Sequence, residues 1–419
     1  MDAMRLALDA TLAVAPFAFR TAGAIAFGRG SRDRIAGVAA GLGRRVLLVT
    51  GARSLAASGE LDRAMDRLRA EGLDVITWPV LGEPDVDAVD RGAEMANEGG
   101  VQVVVAIGGG SVLDAAKAVA VVVANGGSAI DYLEDLPGAG GRRIHVAPLP
   151  LVAVPTTAGT GAEVTRNAVL RVPQFALKRS MRDDRMLPSV AIVDPDLTAR
   201  SPRDVVVSAA LDALAHLMES YVSLGAQPMT DLFALHGACR AFSALRALAQ
   251  GQDEAGIWDE LALASLWGGM ALANAGLGAV HGLAAPLCGR CAVPHGAACA
   301  TLLAPTIRIN VRALRARSKE HPALARYAVL STAIARSEDP LRLADEVDEL
   351  RRRLGARPLA AFADVATNVS AIVAGGRGGS MKYNPIALTD AELESILIAA
   401  IGDGDLHPPR DPSSPHWQR

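Results

Sequence analysis

The feature that most constrains this chain is a pair of unbroken apolar runs, Val46-Leu47-Leu48-Val49-Thr50 and residues 101–107. A strand with one wet face alternates apolar and polar residues. These runs do not alternate, so each must be covered on both faces. The second run ends in Gly108-Gly109-Gly110-Ser111 and passes into a helical period over 112–124. Further helical periods fall at 61–71 and 86–97, and short strands at 75–78, 152–154 and 190–193. Doubly buried strands alternating with helices imply an α/β unit built on a parallel, doubly wound sheet. Residues 17–28 alternate instead, which predicts an edge hairpin.

The character changes near Asp194-Pro195 and Ser201-Pro202. Beyond Asp204 the chain is Ala/Leu-rich with helical periods at 205–222, 229–250, 254–274, 323–335, 340–354 and 390–401, and it has almost no β-branched runs. At 419 residues, two cores are expected. The division is an α/β domain over 1–200, an all-helical domain over 201–403, and a Pro/Ser-rich disordered tail over 404–419. With 21% charged residues and a net charge of -3, nothing favours nucleic acid or anionic membrane as a partner. The run Arg351-Arg352-Arg353 reads as a solvated helix face. No apolar run reaches the roughly 18–20 residues that span a bilayer. Residues 6–19 are apolar, but Asp2, Asp9 and Pro16 argue against a signal peptide. Four cysteines make no disulfide framework in a chain of this size, which fits a reducing cytoplasm.

The second half carries the chemistry. Asp212 and His216 stand one helical turn apart, and Glu219 extends them into a polar stripe on an otherwise apolar helix. Such a stripe either faces water or needs a partner, because buried unpaired charge is expensive. His281 and His295, each followed by glycine, complete a set spaced like a divalent-metal cage. Three imidazoles and a carboxylate suit Fe(II) or Zn(II), and an ion so held polarises an alcohol or carbonyl oxygen. Upstream, the loop at Gly109, Gly110 and Ser111 opens a helix, where free amides and the helix dipole favour phosphate. It does not match G-x-G-x-x-G, and a plain tight turn is the alternative. Thr156, Thr157 and Thr160 lie just after the strand at 152–154 and could line the same cofactor; Thr160 and Glu163 could equally form a capping box. Cys288 and Cys291 read as structural, with Cys239 and Cys299 isolated, and His145, His236, His321, His407 and His416 read as ordinary. Metal plus dinucleotide points to redox chemistry on an alcohol.

In this order, these motifs resemble the iron-containing (group III) alcohol dehydrogenases. The likeness runs from Phe27-Gly28 to Asn384-Pro385 and includes the stretch from Gly108 to Lys117, the Thr-rich loop, Asp212, His216, His281 and Pro294-His295-Gly296. It implies the dehydroquinate synthase-like architecture of an α/β nucleotide domain and a helical domain, with the site in the cleft between them. Asp212, His216, His281 and His295 would hold iron, or sometimes zinc. The cofactor, NAD or NADP, would meet Gly109, Gly110, Ser111 and Asp114, with Thr156, Thr157, Thr160 and Lys178 near its ribose or nicotinamide end. The implied enzyme is an alcohol dehydrogenase or aldehyde reductase acting on a small molecule, as a homodimer or larger. Three departures stand out. Ala285 replaces a histidine that many relatives place near the nicotinamide. Gly51, with Arg53 and Ser54 close by, stands where NAD-preferring relatives carry an aspartate, which opens the site to NADP. Glu83-Pro84-Asp85 replaces an Asn-Pro pair. A glycerol dehydrogenase-like or dehydroquinate-synthase-like enzyme, or a non-catalytic metal or nucleotide sensor, are the alternatives.

Overall fold

The second of those apolar runs forms the central strand of a six-stranded sheet. The computed structural model describes residues 15–402 apart from 137, 139 and 176. Its strands are β1 (Ala24–Phe27), β2 (Arg45–Gly51), β3 (Asp74–Val80), β4 (Val103–Gly108), β5 (Leu151–Pro155) and β8 (Val190–Val193). All pair in parallel, in the order β1-β8-β5-β4-β2-β3. Leu47, Val49, Val104 and Ala106 bury one face under the helices Val86–Glu98 and Gly110–Asn125. Val46, Leu48, Val103, Val105 and Ile107 bury the other under Ile35–Ala40 and Glu60–Ala70. The chain runs outward from β2 to β3, then crosses back to lay β4 on the other side of β2, with Thr50 opposite Ile107. That reversal makes a crevice at the carboxyl ends of β2 and β4, the usual ligand position in such sheets. Gly51 and the glycine loop after Gly108 lie there.

From Arg203 onward the described residues contain helices and no strand. The helix Arg203–Val222 lies at the centre, packed by Pro228–Ala249, Ala255–Ala275 and His295–Arg317. It is long and apolar enough by length and composition to cross a bilayer, but 83% of its apolar window is buried inside the protein, as in a core helix. A separate apolar cluster joins the two halves: Ala191 and Val193 of β8 and Val164 pack with Ala262, Leu266 and Met270 of Ala255–Ala275.

Several expectations are corrected. Residues 17–28 form no hairpin; only Ala24–Phe27 is a strand, and it pairs in parallel with β8 because Ser189–Val193 offers a free edge there. A two-stranded antiparallel hairpin, β6 (Asn167–Val172) and β7 (Leu177–Arg182), went unread. Its signal was a weak period of two, with buried Ala168, Leu170 and Val172 alternating with Asn167, Val169 and Arg171. The helices Ala279–Arg290 and His295–Arg317 were also unread, since Pro286 and Pro305 look like breakers. Burial of their apolar faces outweighs those prolines. Arg351 is buried rather than solvated and meets Asp348 at 3.2 Å. The expected disordered tail, 404–419, lies outside the described residues.

One contact between the halves leaves no room for a side chain. Gly161 adopts φ +60°, and a Cβ on Gly269 would stand 2.5 Å from the Gly161 carbonyl oxygen and 2.7 Å from its Cα. Backbone cannot yield as a flexible side chain does. Gly269→Ala is therefore expected to cost about 1–3 kcal/mol by overpacking, read as a lower urea midpoint. Gly256→Ala, in the same helix with open space around it, should be neutral or stabilising by up to about 1 kcal/mol.

Candidate metal centre

Helical spacing puts Asp212, His216 and Glu219 on one side of Arg203–Val222, and the fold buries all three. Two other helices bring the remaining donors. His281 sits in the first turn of Ala279–Arg290, and His295 opens His295–Arg317 behind Pro294. All three imidazoles converge on one carboxylate oxygen. Asp212 Oδ1 lies 3.2 Å from His281 Nε2, 3.7 Å from His295 Nε2 and 3.8 Å from His216 Nε2. Two nitrogen or oxygen ligands on a tetrahedral ion at about 2.1 Å stand about 3.4 Å apart. The separations bracket that value, so the donor set fits a divalent cation. His216 stacks on His281 with ring centroids 4.5 Å apart. His295 is the open side, with 40% of its side chain exposed.

Glu219, read only as part of the stripe, fixes the orientation of His281. His281 Nδ1 donates to Glu219 Oε2 at 2.6 Å, and the Val280 amide donates to Oε1 at 2.8 Å. A carboxylate can only accept, so the proton sits on Nδ1 and Nε2 is presented to the site. The electrostatics follow. Burial alone would raise Asp212, but His216, His295 and His281 hold it well below the usual carboxylate range. Burial pushes His216 down to about 3. Burial would also lower His281, yet hydrogen bonds to Asp212 and Glu219 raise it to about 9. Without a cation, a protonated His281 balances two buried carboxylates.

Cys299 was read as isolated, and it is not. It follows His295 by one helical turn, and its Sγ lies 3.5 Å from His281 Nε2 and 3.6 Å from His295 Nε2. The i, i+4 spacing that paired Asp212 with His216 would have paired His295 with Cys299.

The sheet end supplies a second site. The Thr156 amide donates to the Gly108 carbonyl at 3.0 Å, drawing the two loops together. A Cβ on Gly109 would meet Thr157 Oγ1 at 3.4 Å, and one on Gly110 would meet Thr160 Oγ1 at 2.8 Å. Gly110 opens a 16-residue helix, so its first amides point into this half-exposed crevice. Asp114 faces elsewhere: it meets Lys117 Nζ at 3.2 Å and accepts from the Val169 amide at 3.0 Å, anchoring the β6–β7 hairpin. The capping box does not form. Glu163 is buried, and burial raises its carboxyl to about 7, while Thr160 Oγ1 accepts from the Ala162 amide at 3.4 Å. Lys178, on β7, is paired with Glu83 at 2.6 Å. Its strand packs against Ala279–Arg290, the helix that carries His281. Ala285 is exposed on Ala279–Arg290, and Arg53 and Ser54 are exposed beside Gly51.

Comparisons with known proteins point to one family. A family model described as iron-containing alcohol dehydrogenase matches residues 22–195, and one for the C-terminal region of the Fe-containing alcohol dehydrogenase family matches 206–401. Long-chain-alcohol dehydrogenase 1 of Geobacillus thermodenitrificans is 37% identical over 66% of this chain and 69% of its own length. NAD-dependent methanol dehydrogenase of Bacillus methanolicus is 36% identical over 60% of this chain and 65% of its own. The structure of sulfoacetaldehyde reductase from Bifidobacterium kashiwanohense in complex with NAD+ superposes with a TM-score of 0.80 at 29% identity, covering 92% of this chain and 99% of that one.

The contact to Glu219 yields a direct test. Glu219→Gln turns one of the two acceptor oxygens into an NH2 donor, so the side chain cannot accept from both His281 Nδ1 and the Val280 amide. It should weaken Zn(II) binding about 10–100-fold, measured against a chromophoric chelator with thermal melting as the check on folding. Unchanged affinity would show that Glu219 does not orient the ligand.

Proposed function

The chain belongs to the iron-containing alcohol dehydrogenase family and is an oxidoreductase of that type; from this premise we propose how its residues divide the work. The activity is hydride transfer between a nicotinamide dinucleotide and a small alcohol/aldehyde pair. The observation that carries this reading is the convergence of His216, His281 and His295 on Asp212 Oδ1, with Asp212, His216 and His281 buried and His295 half-exposed. A divalent cation, iron or zinc, held by these four residues supplies Lewis-acid polarisation of the substrate oxygen.

The chain's own groups do the rest. Amides at Gly109, Gly110 and Ser111 receive the cofactor phosphates, and Thr156, Thr157 and Thr160 line the path from that loop. Lys178 places a cation at the cage end of the crevice, with Glu83 holding its Nζ in position. Asp114 acts by holding Lys117 and the β6–β7 hairpin rather than by touching the cofactor. Ala285 carries no titratable group, so the substrate's proton leaves through water on the open side of His295 or through a ribose hydroxyl. Gly51 brings no carboxylate against a 2′-phosphate, and exposed Arg53 suits one, which supports acceptance of NADP as well as NAD. Residues 1–200 and 201–403 act as the nucleotide and metal domains. Four free cysteines suit a reducing cytoplasm, and the family likeness supports a homodimer or larger assembly.

Two measurements test this. Purified protein should hold about one Fe or Zn per subunit, and Asp212→Ala or His281→Ala should lose both the metal and nicotinamide turnover; a variant keeping both would overturn the cage. Arg53→Ala should raise KM for NADPH by about tenfold or more, as expected for one lost charge-assisted hydrogen bond, while leaving KM for NADH unchanged. Equal effects on the two cofactors would remove Arg53 from the 2′-phosphate site.

A further inference from the structure

The helix that carries His281 begins without a cap of its own. Gly278, at its N-cap, has no side chain to offer, and the first amides of a helix have no intrahelical partner. Three of them are nevertheless paired, by side chains from far along the chain. The Val280 and His281 amides donate to the two oxygens of Glu219 at 2.8 and 3.4 Å, and the Ala279 amide donates to Asn384 Oδ1 at 3.1 Å. Gly278 makes room for both, since a Cβ there would stand 2.8 Å from Asn384 Oδ1 and from Glu219 Oε1.

Asn384 is buried, and its side-chain amide has no spare capacity. Its Oδ1 also accepts from Asn310 Nδ2 at 3.1 Å, while its Nδ2 donates to Asn310 Oδ1 and to the Ile386 carbonyl, each at 2.8 Å. Asn310, buried in turn, gives its other proton to the Tyr327 hydroxyl at 3.1 Å. Turned over, the Asn384 amide would set a donor against the Ala279 N–H, so the network fixes a single orientation. Pro385 favours the extended backbone found at Asn384, with φ -58° and ψ 139°. Met381 of the same segment lies against Gly282, where a Cβ would stand 2.8 Å from Met381 Cε. The segment 381–384 thus backs the residues that flank His281.

We propose that Asn384 is a positioning residue for the metal site. By capping Ala279 it sets the first turn of Ala279–Arg290, and with it the point from which His281 Nε2 stands 3.2 Å from Asp212 Oδ1. The inference rests on the cage reading and deepens it, with a residue that touches neither cation nor substrate. Two remote side chains divide the task. Glu219 fixes the rotation of the His281 ring through Nδ1, and Asn384 fixes the backbone from which that ring projects. Neither can replace the other, because both Glu219 oxygens are already engaged by Val280 and His281.

The test is the Zn(II) affinity of the full-length protein, read by competition with a chromophoric chelator, with thermal melting alongside. Asn384→Ala removes the acceptor for Ala279 and should weaken binding about tenfold. Asn310→Ala leaves Asn384 in place but withdraws two of its four bonds, and should weaken binding by a smaller factor. Leu68→Ala, in the buried core of the α/β half, should lower Tm and leave the affinity unchanged. Hydrogen exchange of the metal-free wild type reads the same contact without a substitution: the Ala279 amide should be protected, as a first-turn amide open to water is not. Should Asn384→Ala fail to fold, Asn310→Ala and the wild-type exchange decide. Unchanged affinity in the folded variants, an equal loss in Leu68→Ala, or rapid exchange at Ala279 would overturn the proposal and leave the four-donor cage standing. A wild type that binds no Zn(II) would remove the cage and this inference together.

Discussion

The interaction on which the rest depends is the grip of two buried carboxylates on one imidazole. Asp212 and Glu219 project from the same helix and reach His281 from opposite ring nitrogens, at 3.2 and 2.6 Å. Burying two carboxylates without cationic partners would be prohibitive. The ring between them, protonated or holding a cation on Nε2, makes the burial tolerable. The same Glu219 accepts from the Val280 amide, and Asn384 Oδ1 accepts from the Ala279 amide at 3.1 Å. The first turn of Ala279–Arg290 is thus fixed by side chains from distant parts of the chain. A polar stripe that looks like a fault in an apolar helix is what registers three helices against one another.

The glycines play the complementary part. At the sheet end, Gly109 and Gly110 let the threonine loop press close, so hydroxyls and free amides face one crevice. Between the halves, Gly161 and Gly269 touch backbone to backbone, and the adjoining cluster around Leu266 and Met270 seals the joint in apolar contact. Sheet crevice and helical cage are held together by packing that admits almost no extra atom. This rigidity suits a reaction in which a bound coenzyme and a polarised oxygen must meet at short range.

What sets this chain apart from the family pattern sits near the edges of that arrangement. Glu83 engages Lys178. Arg53 stands exposed beside Gly51, and Ala285 leaves an exposed, uncharged step on the wall of Ala279–Arg290. Each alters charge near where a ligand would enter, and none disturbs the Asp212–His281–Glu219 chain. Cys299 lies at the centre of the cage rather than at its rim, 3.5 Å from His281 Nε2 and 3.6 Å from His295 Nε2.

Much of this was legible in the amino-acid order alone. Unbroken apolar runs declared doubly covered strands, 3.6-residue periods declared the helices, and one turn of spacing declared Asp212 and His216 as a pair. Local rules suffice there because neighbours in sequence are neighbours in space. They fail wherever contact is made by folding. The helices carrying His281 and His295 hid behind prolines that burial overrides. Nothing local distinguished Glu219 as an anchor from a residue facing water, or marked Cys299 as anything but a solitary thiol. The sequence by itself determined the sheet and the helical half, and it singled out Asp212, His216, His281 and His295 as candidate donors. Only the tertiary structure decided which atom faces which, because those distances are fixed by the packing of helices some 60–80 residues apart in the chain, for which no local periodicity exists.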